Sequence, residues 1–293
     1  MADSITVAHI KAYTDLVLLR AQQMDSRVRP WVKLKDNVRG ESVSFDRLGT
    51  IEMQGKASRH APTPNADPNH ERRWATMATW HTAVLLDADD VQASLTDPTS
   101  DYVRLVSAAL GRKYDERILS AALGTSATGV TGAGSETWPV TDRKSVSHQI
   151  AAGGTGFTVA KWRQGVRILD VLQAESDRVL VLDAYAKEDL LETTEVTSSD
   201  YNTVKALVNG EVNSFLGCEV VLVDSDLMTT SGTTYSAVLM VRGAVGLGIG
   251  IDKKIRIDER PDLSYSNQVY AEMMTGAVRR DGERIVEIQY VAS

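Results

Sequence analysis

The stretch "DPTSDYVRLVSAALGRKYDERILSAALG" at 97–124 constrains the fold more than any other. Asp97 suits an N-cap, and Pro98 suits the first helical position, where its missing N–H costs nothing. Tyr102, Val106, Ala109, Leu110, Tyr114, Ile118, Ala122 and Leu123 recur at three- and four-residue steps, and Gly124 supplies a stop. The spacing predicts a helix over 98–123. At about 1.5 Å per residue it is about 39 Å long, more than an ordinary globular domain needs. Gly111 in its middle costs about 1 kcal/mol relative to alanine, so a close contact or a slight bend is expected there.

Upstream, residues 4–24 read as helical, with Ser4 as cap and Ile10, Tyr13, Leu16 and Val17 near helical spacing, and Pro30 ends any helix in the polar hinge that follows. Residues 42–57 alternate weakly and read as extended, while 58–70, with three prolines and two asparagines, read as a turn or exposed tip. "RRWATMATWHTAVLLD" alternates again, with Trp74, Thr76, Ala78 and Trp80 on one face and Met77 and Thr79 on the other. Together these segments make a long hairpin-like excursion with too little apolar density for a core of its own.

Residues 124–156 are rich in Gly, Thr and Ser and read as a boundary or mobile loop. The pattern then becomes that of a compact α/β unit over about 157–250: the amphipathic helix "TVAKWRQGVRILDVLQAES", the buried strand "RVLVLD", a helical segment near 200–208, and the strands "CEVVLVD" and "YSAVLMVR". The tail returns to β structure, with "KKIRIDE" as a short strand and Asp281-Gly282 marking a tight turn between two long arms.

Most chemistry is excluded or unsupported. The one cysteine, Cys218, rules out an intrachain disulfide and a cysteine-based zinc site, and a reducing cytoplasm during synthesis is the simplest reading. "MADSITVAHIKAYTDLVLLRAQQ" reads as no signal peptide, because His9, Lys11, Asp15 and Arg20 interrupt it. No apolar run is long enough to span a bilayer. His60, His70 and His81 are spaced by 10 and 11 residues, without the close helical pair of zinc enzymes, and read as exposed polar residues on an arm. "AVGLGIGID" at 244–252 has alternating glycines but no following helix, so a glycine-softened β-segment is preferred to a dinucleotide turn. "GTSATGVTGAGS" lacks the Gly-Lys-Ser/Thr ending of a phosphate loop. Asp87, Asp89 and Asp90 are explained by capping and dipole effects before a helix. No catalytic constellation emerges and no cofactor is implied.

Net charge is −7, which argues against a dedicated nucleic-acid binder. It is uneven: residues 1–85 carry 12 Lys+Arg against 9 Asp+Glu, while the remainder carries 20 against 30. A basic N-terminal third on an acidic body is suited to nucleic acid or to the acidic body of a neighbouring copy.

The motifs "QQMDSRVRPWV" at 22–32, "FDRLG" at 45–49, "TP" at 63–64 before "RRW" at 72–74, and "ALGRKYDERILSAALG" at 109–124 stand in an order that resembles the major capsid proteins of tailed bacteriophages. That resemblance implies an α+β, Hong Kong 97-like capsid fold. Its implied layout is an N-arm over 1–38, an extended loop over 39–90 that overlaps an adjacent subunit, and a peripheral domain over 91–156 with the spine helix at 98–123. A compact α/β axial domain over 157–250 and peripheral return strands over 251–293 complete it. The implied function is self-assembly, through hexamers and pentamers, into the icosahedral head shell of a tailed double-stranded DNA phage, with no enzymatic role. The implied location is the virion, after synthesis and assembly in the bacterial host cytoplasm. Expected partners are the chain itself, a separate scaffolding protein, a portal, decoration proteins, and packaged DNA met without sequence specificity. No membrane partner is expected.

The loop cannot bury enough surface alone, so its order must come from lying across a neighbour. Arg47, Lys56, Arg59, Arg72 and Arg73 are expected to face acidic surface there, with Trp74 and Trp80 as apolar anchors. On this reading, reversing Arg72 and Arg73 leaves subunits unassembled. Two alternatives stay open: an encapsulin-type nanocompartment shell of the same fold, and a metal-dependent hydrolase built on the histidines of 60–81.

Overall fold

A computed structural model describes residues 22–56, 58–60, 62–63, 65–87, 99–192 and 214–292. In chain order its strands are β1 (Lys33–Lys35), β2 (Ser42–Leu48), β3 (His70–Thr76), β4 (Ala78–Leu86), β5 (Ser126–Thr128), β6 (Gly134–Glu136), β7 (Gln149–Ile150), β8 (Arg178–Leu182), β9 (Ser214–Phe215), β10 (Cys218–Leu222), β11 (Thr229–Ser231), β12 (Thr234–Val241), β13 (Val245–Arg260), β14 (Ser266–Arg279) and β15 (Ile285–Val291). The α-helices among the described residues are α1 (Thr99–Leu123), α2 (Val159–Val171) and α3 (Ala184–Glu192). The strands form three sheets, ordered β1-β13-β14-β4, β7-β15-β12-β8-β10-β9 with β11 on β12, and β2-β3-β5-β6.

The long helix is present as its periodicity predicts; Asp97 and Pro98 lie outside the described residues. Val106, Leu110, Tyr114, Ile118 and Ala122 form its buried stripe and share one core with Val245, Leu247 and Ile249 of β13 and Val269, Ala271 and Met273 of β14. Full burial of an aliphatic side chain such as Ile118 is worth about 1.5–3 kcal/mol. Gly111 marks a close contact: a Cβ there would lie 3.0 Å from the Asp25 Cα and 3.1 Å from the Ser26 nitrogen. The strap that crosses at this point is clamped by Asp115, whose carboxylate accepts hydrogen bonds from Gln23, from Ser26 Oγ at 2.5 Å, and from the backbone N–H groups of Arg27 and Val28 at 3.0 and 3.1 Å. Thus two of the motifs quoted above, "QQMDSRVRPWV" and "ALGRKYDERILSAALG", are each other's packing partners. The helices expected over 4–24 and near 200–208 lie outside the described residues, except 22–24, which are not helical.

The seven-stranded sheet is buried on both faces. Leu180, Leu182, Leu239, Val286 and Ile288 face Trp162, Ile168 and Leu169 of α2 and Ala186 and Leu190 of α3. Val179, Val181, Val238, Met240 and Ile285 point the other way, into the core of the long helix. The Lys161 ammonium closes the Gly-rich loop before α2 by donating to the carbonyls of Ala152, Thr155, Gly156 and Gln289 at 2.8–3.2 Å.

Two expectations are corrected. Asp281-Gly282 is not a hairpin turn: β14 already has β13 and β4 on its two sides, so β15 pairs instead with β12 and β7 in the other sheet. Asp281 caps a 3-10 turn over Gly282–Arg284, accepting from the Glu283 N–H, and the true hairpin joins β13 to β14 through residues 261–265. Strand β13 runs unbroken through residues 250 and 251, and residues 251–293 contribute to two sheets. Finally, 124–156 is not structureless, because β5 and β6 extend the β2-β3 sheet and β7 edges the seven-stranded one.

Candidate functional site

The least self-contained element is the arm made by β2 and β3, paired antiparallel from Ser42↔Thr76 to Leu48↔His70, with residues 49–69 as its tip. The expected continuous return strand is broken at Met77: β3 belongs to the arm, and β4 joins β14 in the sheet under the long helix. Leu48 at the end of β2, and Ile51 and Met53 in the tip, are 62%, 61% and 100% exposed. Three apolar side chains so placed enter no core among the described residues.

The root of the arm is held in two ways. One is steric. Along β13, Val245, Leu247 and Ile249 face the long helix, while Gly246 and Gly248 face the arm. A Cβ on Gly246 would come within 2.9 Å of the Phe45 ring, and one on Gly248 within 2.5 Å of Val43 Cγ1. The alternating glycines of "AVGLGIGID" therefore pave a flat seat on which Val43, Phe45, Ala75 and Met77 form a small satellite core.

The other is electrostatic. Arg47 donates to Asp281 Oδ1 and to Glu71 Oε2, both at 2.6 Å. Arg73, 2% exposed, donates to Glu71 Oε2 at 3.2 Å and Glu136 Oε1 at 2.9 Å. Arg279, fully buried, meets Glu136 Oε2 at 3.5 Å and donates to the Ala122 and Gly124 carbonyls at the C-terminal end of the long helix, at 3.1 and 2.6 Å. Burial works against the Arg47 charge, yet Asp281 and Glu71 outweigh it and hold the guanidinium above its ordinary range. At Arg279 burial wins and pulls the group down, despite Glu136 beside it.

The seven residues singled out from the sequence thus fall into different settings. Arg47, half-buried, and Arg73, buried, belong to this root. Arg72 pairs with Asp46 across the arm at 2.6 Å and lies over the Trp74 ring, whose Nε1 donates to the Gly129 carbonyl at 2.8 Å. Trp80 is covered by Lys113 of the long helix, with Nζ 3.8 Å from the ring centroid, and is a body residue. Lys56 and Arg59 are exposed at the tip and form no ion pair among the described residues. Glu71, Glu136, Arg279 and Asp281 were not legible as functional positions, and the glycine alternation was the one local signal for the seat.

The histidines are not gathered. His60 and His70 are exposed, and His81 lies against the Tyr270 ring at 6.3 Å. Among the described residues no group of three or more His, Cys, Asp and Glu side chains is placed to hold a metal ion. Burial pushes the Cys218 thiol up, the opposite of an activated nucleophile. No helix among the described residues is long and apolar enough to cross a membrane.

The sequence profile of a family described as phage capsid protein matches residues 5–292. No curated protein matches the sequence. Among solved structures the chain is similar to the capsid of cyanophage P-SCSP1u, with a TM-score of 0.72 and 15% identity over 97% of this chain and 93% of that one. It is similar also to the capsid of Ralstonia phage GP4, at 0.70 and 11% over 97% and 95%, and to a Mycobacterium phage Che8 structure, at 0.68 and 14% over 95% and 96%. Likeness at these identities speaks for the fold, which is the α+β, Hong Kong 97-like arrangement of sheets around a long helix.

Proposed function

Because this chain belongs to the phage capsid protein family, and is a major capsid protein of a phage head shell, we propose that it assembles by laying the β2–β3 arm across a neighbouring copy. The observation that carries this reading is the tip itself: Leu48, Ile51 and Met53 are presented to solvent at the end of an arm whose root is firmly seated. Apolar burial against a second copy supplies the affinity, and Lys56 and Arg59 beside them meet acidic groups of that copy. Repeated around a ring, such a heterologous contact closes into hexamers and pentamers.

Arg47, Arg72, Arg73 and Trp80 are spent on contacts within the chain, so reversing Arg72 and Arg73 is a poor test: it places a carboxylate among Glu71 and Glu136. The discriminating variant is Ile51→Asp with Met53→Asp. Light scattering and negative-stain images of the purified protein are expected to show folded, unassembled subunits. Normal shells would refute the arm as the contact.

In the virion the protein acts as a container rather than an enzyme, and its overall acidity keeps the wall from gripping packaged DNA, which it meets without sequence preference. The 1–38, 39–90, 91–156, 157–250 and 251–293 division remains our reading of the subunit's working parts, with β15 assigned to the axial sheet. A scaffolding protein, a portal and decoration proteins are the further partners of assembly in the host cytoplasm.

A further inference from the structure

The ion pairs at the root of the arm form one chain whose two ends stand close together in the sequence. Read in order, Asp281, Arg47, Glu71, Arg73, Glu136 and Arg279 alternate in sign, and the first and last stand two residues apart at the end of β14. Between them the series crosses β2, β3 and β6, so it lines one face of both strands of the arm, the face that also carries Val43, Phe45 and Ala75. Its final guanidinium reaches the C-terminal carbonyls of the long helix, where a cation is favoured by the helix dipole. A hydrophobic seat paved with glycine is flat and says little about direction. Ion pairs with fixed donor and acceptor geometry do specify direction.

We infer that this belt is a positioning device: it sets the angle at which the arm leaves the body, and through that angle the tilt between neighbouring copies in the shell. The inference rests on the arm-to-neighbour reading above. Arg47 and Glu71 form the more accessible half, with side chains 27% and 36% exposed, so this link can be cut without leaving a fully buried charge unpaired.

The test places spin labels at His70→Cys, on the far end of β3, and Val171→Cys, on the exposed end of α2, while the buried Cys218 stays unlabelled. Pulsed dipolar spectroscopy on unassembled subunits then reads the arm's angle. The unaltered belt is expected to give one narrow distance distribution. Arg47→Gln roughly doubles its width or adds a second distance, and Arg47→Lys restores most of the narrow peak. Particles from Arg47→Gln are mixed in diameter where those of the parent are uniform, although circular dichroism is unchanged. Were Arg47→Gln to unfold, Glu71→Gln, which keeps the shape of the side chain, carries the same expectation. A parent-like distance distribution and uniform shells in a folded belt variant would overturn the inference. Normal assembly by the Ile51→Asp, Met53→Asp protein would instead overturn the arm reading on which it stands.

Discussion

Replacing Gly248 by alanine probes the seat on which the arm rests. The new Cβ would sit 2.5 Å from Val43 Cγ1 and 3.3 Å from Met77 Sδ. Carbon atoms settle at about 3.5–4.0 Å, so Val43 must retreat by about 1 Å. Overpacking of this kind costs about 1–3 kcal/mol, against a gain of about 0.4–1 kcal/mol from stiffening the unfolded chain, so the net sign is destabilising. At about 2–4 °C per kcal/mol for chains of this size, the melting midpoint should fall by several degrees in scanning fluorimetry of unassembled subunits. Gly55→Ala is the control, since a Cβ there has nothing within 4 Å. Val43→Ala removes the offending methyl, so the pair of changes should show a favourable coupling of about 1 kcal/mol or more. A Gly248→Ala midpoint at or above that of the parent, or additivity with Val43→Ala, would refute the seat.

Two further outcomes are expected. Asp115→Ala leaves the Arg27 and Val28 N–H groups without their acceptor, at about 1–3 kcal/mol each where buried, and hydrogen exchange should show faster exchange at both amides with the β8 amides unchanged. At Asp252, burial favours the neutral acid, but hydrogen bonds from Arg29, Tyr114 and the Lys253 N–H outweigh it and hold the carboxyl below its usual range. A depressed carboxyl contributes stability above its unfolded pKa of about 4, and that contribution is lost as pH falls through the folded value. The melting midpoint of Asp252→Asn should therefore depend less on pH below about 4 than that of the parent; parallel curves would count against the assignment.

What the sequence disclosed was local. The long helix and the strands of 178–183, 218–224 and 235–242 each carry their own period, and each is found where that period puts it. What it concealed was pairing. "DG" at 281–282 has the right residues for a hairpin, yet the sheet position that a hairpin needs is occupied by strands 20 or more residues earlier in the chain. Arg47 and Arg73 looked like free surface charges because Asp281 and Glu136 stand 234 and 63 residues away. Even Trp74, Thr76, Ala78 and Trp80, alternating across Met77, belong to two sheets rather than one face of a single strand. Resemblance to capsid proteins supplied the global frame that periodicity alone did not.

The direct link from β3 to β4 through Met77 has a mechanical consequence. A pull on the arm passes through Met77 directly into β4, which lies antiparallel along β14 over nine paired positions, from Ala78↔Thr275 to Leu86↔Asn267. The force runs along the strand, perpendicular to the ladder's hydrogen bonds, so these bonds are sheared together rather than unzipped one after another. On the proposed arm-to-neighbour contact, tension in a filling head would pass through Met77 of the satellite core and into the strongest direction of the sheet.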